Sequence, residues 1–324
     1  MTPAGELLAA EIERDGPISF RRFMETALYH PRHGYYRRPC DPFGRTGDFF
    51  TAEQIQPVFG ILMAARVRQL YCNMGEPADF TVAEPGAGRG EMGEAFREWR
   101  YIPLEIDSSA LPEKFRGVVF SNEFFDALPV EVAVACGGQY RERRVAWREG
   151  RFVWETGGPV SEKTADYLTR FGAPPEEGRV MEANLSALDW LERAGNTVES
   201  GYLLTIDYGY RRAELIRFPE GTLMSYRRHQ AAEDVLLDPG ERDITAHVNF
   251  TALEEHGAQC GWRSERFETL AQTILAAGEG DEFAAALEAA DANEALRRRM
   301  QLKTLLFGMG ETFRVLLQRR DEGK

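Results

Sequence analysis

The sequence has few cysteines and no zinc-binding motif, and both absences exclude classes of protein. The four cysteines among 324 residues form no C-x-x-C pair. They are Cys40, Cys72, Cys136 and Cys260. Neither a disulfide framework nor a zinc ribbon fits this spacing, so we expect a reducing compartment. The five histidines form no H-E-x-x-H motif. We therefore expect no metal site.

Positive charge is also scarce. The chain has 39 basic and 52 acidic side chains, a net charge of −13 at pH 7. Tight unspecific binding to nucleic acid or to anionic membranes needs a basic surface, so we expect neither partner. No stretch approaches the roughly 20 apolar residues of a membrane helix. The N-terminus lacks the features of a signal or transit peptide. We expect a soluble, cytoplasmic protein and leave a homodimer open.

Hydrophobic residues make up 43% of the chain, which is enough for a sizeable core. Four short apolar runs predict buried parallel strands. They are Phe80–Ala83, Tyr101–Ile106, Gly117–Phe120 and Gly201–Ile206. Apolar residues at helical spacing predict further elements. These helices are two within residues 1–33, separated at Gly16-Pro17, one from Ile55 to Leu70, one near Ser186–Ala194, and one over Leu302–Leu317.

Residues 130–156 alternate with a period of two and are interrupted at Gly137-Gly138 and Glu149-Gly150. This pattern predicts an antiparallel meander. Its arginines favour a solvated strand face over a binding patch; they are Arg141, Arg143, Arg144, Arg148 and Arg151. We expect one unit, divided into an N-terminal helical and lid region (1–75), a core (76–129 and 179–324) and a β-rich insertion (130–178).

The sharpest motif follows the first core strand. Residues 84–90 read Glu-Pro-Gly-Ala-Gly-Arg-Gly, and alternate glycines let a backbone turn sharply and approach a ligand. We expect a helix after this turn. A dinucleotide site needs G-x-G-x-x-G, but the residue three positions beyond Gly88 is Glu91. The E-x-G-x-G-x-G form instead resembles motif I of class I methyltransferases. In that family the loop holds the methionine part of S-adenosylmethionine.

Polar side chains end the next two strands. Glu105 stands at the tip of the second strand, where a carboxylate can accept hydrogen bonds from both ribose hydroxyls of a cofactor. Asp107 is the alternative acid, although it is also suited to capping a helix. Asn122, Glu123 and Asp126 follow the third strand, at the edge where open α/β sheets bind ligands. The alternative is that these are ordinary surface acids.

From end to end, the chain resembles the MidA-like methyltransferases, whose mitochondrial members assist respiratory complex I assembly. The matching residues are Gly34-Tyr35-Tyr36, Gly47-Asp48-Phe49-Phe50-Thr51, Phe59-Gly60, Glu84–Gly90, Asn122–Pro129, Asp207-Tyr208-Gly209, Tyr226 with His229, Asp243–Val248 and Met309-Gly310-Glu311. The resemblance implies an α/β, Rossmann-like class I methyltransferase core with N-terminal helices, a β-rich insertion and C-terminal helical additions. It also implies S-adenosylmethionine as methyl donor and, in the mitochondrial branch, methylation of a protein arginine.

The chain departs from the family in three places. Ala52-Glu53-Gln54 stands where Ser-Pro-Glu is usual, so the glutamate is shifted or lost. The segment between Gly90 and Glu105 is short, and Asn249 stands where an aspartate is common. The glutamine at position 54 most weakens any transfer of substrate specificity.

Together these observations predict a site. We expect the cofactor to contact Phe50, Thr51, Glu84, Gly86, Gly88, Gly90, Glu105, Ile106 and Asn122, with Asp48–Thr51 as part of a lid. For an arginine acceptor, Glu123 and Asp126 would grip the guanidinium and His247 would take its proton. The alternatives are a small-molecule methyltransferase and a non-catalytic assembly protein, although a scaffold needs neither the glycine motif nor Glu105. The failed dinucleotide motif disfavours a nicotinamide-dependent oxidoreductase.

Overall fold

The computed structural model describes residues 1–38, 52–105, 111–228 and 230–322. Its helices are α1 Pro3–Asp15, α2 Phe20–Tyr29, α3 Val58–Asn73, α4 Glu162–Phe171, α5 Leu185–Thr197, α6 Phe250–Gln259, α7 Leu270–Gly278, α8 Ala284–Leu287 and α9 Ala292–Lys303. Its strands are β1 Ile18–Ser19, β2 Phe80–Pro85, β3 Arg100–Leu104, β4 Phe115–Asn122, β5 Glu131–Cys136, β6 Gln139–Arg148, β7 Arg151–Pro159, β8 Val180–Ala183, β9 Val198–Tyr210, β10 Met224–Arg227, β11 Gln230–Ala232, β12 Asp243–Thr245, β13 Val248–Asn249, β14 Arg263–Thr269 and β15 Phe313–Arg320. Contacts divide the chain into two compact units.

The core unit comprises Thr51–Phe124, Trp190–Gly209 and Leu253–Lys324. Its sheet has the strand order β14-β15-β9-β4-β2-β3. Strands β9, β4, β2 and β3 are parallel neighbours, which confirms the four predicted parallel strands. The chain passes from β2 to β3 on one side and returns with β4 on the other. Such a reversal places the ligand site of an open α/β sheet beside the carboxyl ends of these strands.

The core unit is held by apolar packing between its helices and the sheet. Helix α3 buries one face, as predicted, through Val58, Phe59, Leu62, Met63, Val67 and Leu70. These side chains belong to one cluster with Val82, Val118 and Phe120 of the sheet. Burying each large apolar side chain stabilises the fold by about 1.5–3 kcal/mol. The carboxyl ends of the parallel strands therefore rest on a rigid base.

A close approach of backbones within this sheet gives a test of the fold. Gly117 of β4 is paired with Thr81 of β2, and a Cβ atom at position 117 would lie 1.9 Å from the Thr81 carbonyl oxygen. We expect Gly117→Ala to lower the free energy of unfolding by about 3 kcal/mol, because strands must separate locally. Denaturant unfolding measures this loss. Gly150→Ala is the matched control, because Gly150 also has a positive φ angle, 76°, but a Cβ atom there would have no neighbour within 4 Å. Equal losses of stability in the two variants would contradict the close approach of β4 to β2.

The meander unit comprises Met1–Phe50, Phe125–Asp189 and Tyr210–Ala252. Its larger sheet has the order β1-β6-β5-β8, with β7 beside β6, and all its pairs are antiparallel. Its hairpin turns lie at Gly137-Gly138 and Glu149-Gly150, so the meander prediction is confirmed. A smaller sheet has the order β11-β10-β12. None of its three strands was predicted from the sequence.

The N-terminal helices form as predicted. Helix α1 ends before Gly16, and the Ser19 side chain accepts a hydrogen bond from the backbone of Arg22 at the start of α2. Such a cap satisfies one of the free amides at a helix N-terminus. Both helices contribute to an apolar cluster of the meander unit that includes Leu8, Phe20 and Phe23. The contacts thus group residues 1–50 and 51–75 separately, unlike the predicted segment 1–75.

The meander arginines make local contacts. Arg148 pairs with Glu155 at 2.8 Å, Arg144 with Glu142 at 3.4 Å, and Arg141 donates to the Gly157 carbonyl oxygen at 2.9 Å. These contacts favour the solvated strand face.

The predicted helix over Leu302–Leu317 is wrong in its second half. Helix α9 ends at Lys303, a wide helical turn spans Thr304–Met309, and Phe313–Arg320 is strand β15. Strand β15 lies between β14 and β9 and is buried on both faces, so its apolar residues run continuously instead of alternating. Such a run matches a helix and a central strand equally well. No helix among the described residues is long and apolar enough to cross a membrane.

Candidate functional site

The glycine turn directly follows β2 in the core unit. Gly86, Gly88 and Gly90 have φ angles of 71°, 56° and 73°, in the left-handed region that glycine adopts readily. A Cβ atom on Gly86 would lie 3.1 Å from the Phe124 ring. The first turn residue therefore fits only as glycine without local rearrangement, and the backbone bends at the carboxyl end of β2.

The helix expected after this turn is absent. Residues 88–98 form successive turns, with hydrogen bonds such as Gly93 N to Gly90 O at 2.9 Å and Phe96 N to Met92 O at 2.9 Å. The connection to β3 is short, and Gly90 and Gly93 both oppose helix formation. Burial of Met92 and Phe96 fixes the turns on the core. Any ligand contact made here comes from turn backbone and not from a helix N-terminus.

Glu105 lies beside the glycine turn. It follows β3, which pairs with β2 up to Leu104 opposite Pro85. The Gly88 amide donates to Glu105 Oε1 at 2.5 Å, and the side chain is partly exposed. An ionised carboxylate accepts hydrogen bonds on both oxygens, which is the chemistry that ribose hydroxyls require. Its contact with a ribose stays a prediction, and Ile106 and the alternative acid Asp107 lie outside the described residues.

This placement predicts the effect of removing the carboxylate. Glu105→Ala should weaken cofactor binding by about 1–3 kcal/mol, the range for hydrogen bonds to a charged acceptor. Titration calorimetry with S-adenosylhomocysteine measures the loss. Asp107→Ala, the other acid of the same segment, serves as the comparison. A larger loss in Asp107→Ala would show that the ribose contact was assigned to the wrong acid.

Asn122 and Glu123 end β4. Asn122 is 4% exposed, and its Nδ2 donates to Glu123 Oε1 at 3.2 Å. The Ala52 amide donates to the same oxygen at 3.2 Å. Glu123 has a φ angle of 50°, unusual for a residue other than glycine. The two hydrogen bonds therefore hold the Glu123 carboxylate in place. The backbone of this residue is strained, as is common at functional sites.

A buried pair of carboxyl groups lies in the same unit. Glu84 of β2 is 1% exposed and Glu53 is 6% exposed, and each carboxyl group acts on the pKa of the other. Tyr101 donates its hydroxyl to Glu84 Oε2 at 2.6 Å. Burial raises the pKa of Glu84 to about 7, and burial together with the Glu84 charge raises the pKa of Glu53 well above its usual range. Burial therefore favours the neutral, protonated form of both groups.

Glu53 was not among the predicted site residues. The sequence showed only that a family glutamate was shifted or lost at positions 52–54. Helix α3 lies between Glu53 and Glu84 in the sequence. A local sequence pattern therefore could not show that the two residues interact. The one available signal was that Glu53 precedes the apolar helix α3 by a few residues. An acidic residue is seldom buried unless it has a partner.

Comparison with known proteins identifies the family. Residues 96–268, more than half of the chain, match a family model described as "Putative S-adenosyl-L-methionine-dependent methyltransferase". A crystal structure of a protein from Burkholderia thailandensis, bound to S-adenosylhomocysteine, is 30% identical and has a TM-score of 0.87; the match covers 98% of this chain and 92% of that one. The chain belongs to the MidA-like methyltransferases. Its fold is therefore the predicted α/β methyltransferase fold, and its methyl donor is S-adenosylmethionine.

Two curated relatives of this methyltransferase come from animals. The mitochondrial protein arginine methyltransferase NDUFAF7 homolog of Drosophila melanogaster is 25% identical over 306 residues, covering 75% of this chain and 67% of the relative. The mitochondrial protein arginine methyltransferase NDUFAF7 of Homo sapiens is 24% identical over 318 residues, covering 78% and 68%.

The residues of the core unit fit the methyl donor. The amino-acid end of S-adenosylmethionine carries an ammonium group, and its ribose carries two hydroxyls. Asn122 Oδ1 is buried and accepts no hydrogen bond from the described residues, so it can accept one from an N–H donor of a ligand. Glu105 stands beside the glycine turn, where its Oε1 accepts from the Gly88 amide, and the turn admits close backbone approach. Bound there, the donor would supply the methyl group to be transferred.

The remaining predicted residues are placed as follows. Asp126 and His247 belong to the meander unit, whereas Glu123 belongs to the core unit. Asp126 is 4% exposed, and its carbonyl oxygen accepts from the Ala246 amide at 2.9 Å. Burial lowers the pKa of His247, so its imidazole is neutral at pH 7. Phe50 and Thr51, with the rest of the predicted lid, lie outside the described residues.

The departure at position 249 has a structural reason. Asn249 Oδ1 accepts from the Ala252 amide at 3.3 Å in the first turn of α6, and Nδ2 donates to the Phe171 carbonyl oxygen at 3.1 Å. Aspartate could cap the helix in the same way but could not donate. The asparagine therefore adds a buried contact within the meander unit.

Proposed function

We propose that this methyltransferase transfers a methyl group from S-adenosylmethionine to an arginine side chain of a protein. The curated relatives are named protein arginine methyltransferases, which supports this acceptor class. The observation that carries the proposal is a cluster in the meander unit of two buried carboxylates, Asp126 and Asp243, and two partly buried tyrosines, Tyr36 and Tyr226. It is called the acid–tyrosine cluster below.

The acid–tyrosine cluster has the chemistry that a guanidinium requires. Asp126 and Asp243 are 4% and 3% exposed. The Tyr36 hydroxyl donates to Asp243 Oδ1 at 2.9 Å. Burial, followed by the charges of the two aspartates, raises the pKa of both Tyr36 and Tyr226. Paired carboxylates suit the planar fork of arginine, and aromatic faces suit its weakly hydrated cation.

His247 is proposed as the proton acceptor of the reaction. Its backbone amide donates to Thr222 Oγ1 at 3.0 Å, and its ring meets Phe218 edge-on at 5.3 Å. A neutral imidazole can take the proton that the guanidinium nitrogen loses after methylation. The joint grip of Glu123 and Asp126 on the guanidinium also stays a proposal.

One labelling experiment tests the acceptor. The purified protein is incubated with methyl-tritiated S-adenosylmethionine and an extract of its host cell, and labelled proteins are hydrolysed for amino-acid analysis. We expect the label in methylarginine. A Gly88→Val variant, in which the glycine turn is altered, provides the background. Label recovered only in low-molecular-weight material would favour a small-molecule acceptor. Label in methyllysine would overturn the arginine assignment.

A cytoplasmic location, the absence of nucleic-acid binding and a homodimer stay predictions from the sequence.

A further inference from the structure

The buried pair of Glu53 and Glu84 has a role that the methyl-transfer chemistry leaves unassigned. We propose that the two carboxyl groups share one proton in the free enzyme, and that they recognise the ammonium group of the cofactor by releasing this proton when the cofactor binds. This inference rests on the cofactor and not on the identity of the methyl acceptor. It adds Glu53 to the cofactor-binding residues.

The first step is that the pair holds one proton. The two carboxyl groups are buried and each acts on the pKa of the other, so full ionisation of both would place two negative charges side by side away from water. Other acids also face them. Glu91 and Glu123 raise the pKa of Glu53, and Glu91 and Glu105 raise that of Glu84. The Tyr101 hydroxyl opposes this effect by donating to Glu84 at 2.6 Å.

The second step concerns which ligand these groups suit. Three buried oxygens accept no hydrogen bond from the described residues when both carboxyl groups are ionised. They are Glu53 Oε1, Glu84 Oε1 and Asn122 Oδ1. Asn122 is linked to the pair because its Nδ2 donates to Glu123, whose charge acts on Glu53. Three buried acceptor oxygens call for a group with several N–H donors and a positive charge. An ammonium has three such donors.

The third step is the balance of protons. In the free enzyme one proton joins two carboxyl groups, with one negative charge. When the ammonium binds, its N–H groups replace that proton as donors, and its positive charge favours ionisation of both carboxyls. The proton leaves to solvent, so the complex holds two carboxylates and one ammonium. No covalent bond to carbon forms or breaks.

The sign of the pH dependence follows from this balance. Burial and the neighbouring carboxyl group raise the pKa of the pair in the free enzyme, and the ammonium would lower it in the complex. Binding that releases a proton strengthens as pH rises through the free-state pKa. We therefore expect S-adenosylhomocysteine to bind more tightly at about pH 8 than at about pH 6. Its dissociation constant should fall by up to about tenfold for each pH unit.

Titration calorimetry tests the proposal on the full chain. S-adenosylhomocysteine is titrated near pH 7 in phosphate and in Tris, buffers with different ionisation enthalpies, so the difference in observed heat counts the protons released. The matched ligand is 5′-methylthioadenosine, which keeps the nucleoside but lacks the ammonium. We expect proton release with S-adenosylhomocysteine and none with 5′-methylthioadenosine.

Two variants complete the test. Glu53→Gln preserves size and hydrogen bonding but removes one acid, so it should bind S-adenosylhomocysteine about tenfold to hundredfold more weakly and release no proton. Its affinity for 5′-methylthioadenosine should be unchanged, which also shows that the variant is folded. Glu94→Gln removes an exposed acid of the same unit and should match the wild type.

Each contrary outcome has a distinct meaning. If wild-type protein binds S-adenosylhomocysteine with no dependence on buffer, the shared proton is refuted, while the methyltransferase assignment stands. If Glu53→Gln releases as many protons as wild type, Glu53 has no part in the linkage. If S-adenosylhomocysteine does not bind at all, both this proposal and the cofactor assignment fail.

Discussion

Glu123→Gln is expected to lower kcat/KM for the acceptor by about 100-fold or more, while cofactor affinity changes far less. The substitution preserves size and hydrogen bonding and removes the negative charge. Oε1 is held by the Ala52 amide and by Asn122, each at 3.2 Å, and the residue has a left-handed backbone. Loss of a preorganised electrostatic contact has effects of this size. Initial rates over a range of acceptor concentrations measure the loss, and calorimetry measures cofactor affinity.

The chain offers a matched control for this substitution. Glu149 has a φ angle of 49°, almost equal to the 50° of Glu123, but it lies exposed in the hairpin turn between β6 and β7. Glu149→Gln should leave both kcat/KM and cofactor affinity unchanged. If Glu123→Gln lost cofactor affinity in full proportion to its activity, Glu123 would act on the cofactor and not on the acceptor.

Gly88→Val is expected to weaken cofactor binding beyond detection while the protein remains folded. Gly88 has a φ angle of 56°, where a β-branched residue is strained, and its amide donates to Glu105. Valine would displace this turn and with it the carboxylate proposed to contact the ribose. Calorimetry with S-adenosylhomocysteine measures binding, and thermal unfolding without ligand shows whether the variant is folded.

Gly137→Val is the control for strain alone. Gly137 has a φ angle of 62°, and its amide donates to Glu177 Oε2 at 2.9 Å, so it reproduces both features of Gly88 in the meander unit. We expect a similar loss of stability in the two variants but normal cofactor binding in Gly137→Val. Retained affinity in a folded Gly88→Val protein would show that the glycine turn is not part of the cofactor site.

Local sequence patterns predicted the parts of the fold that local physics determines. The strands β2, β4 and β9 are buried on both faces and so appear as continuous apolar runs. The meander was predicted because Gly137-Gly138 and Glu149-Gly150 supply the positive φ angles that tight hairpins need. The glycine turn and Glu105 were likewise expected at the ends of adjacent parallel strands, and the Gly88 amide donates to Glu105.

Features that depend on distant contacts were not predicted. Strand β15 has the apolar content of a helix, and only its place between β14 and β9 makes it a strand. Glu53 is distinguished from other acids by burial against Glu84, a contact that no spacing along the chain reveals. The helix predicted after Gly90 does not form, because the connection to β3 is short and contains glycine.

The central claim is that this chain binds S-adenosylmethionine at the glycine turn of the core unit, and one calorimetric comparison tests it most directly. Wild-type protein is titrated with S-adenosylhomocysteine and, separately, with NADH. The account predicts saturable binding of S-adenosylhomocysteine with one site per chain, a rise in melting temperature on its addition, and no binding of NADH. Binding of NADH without binding of S-adenosylhomocysteine would contradict it.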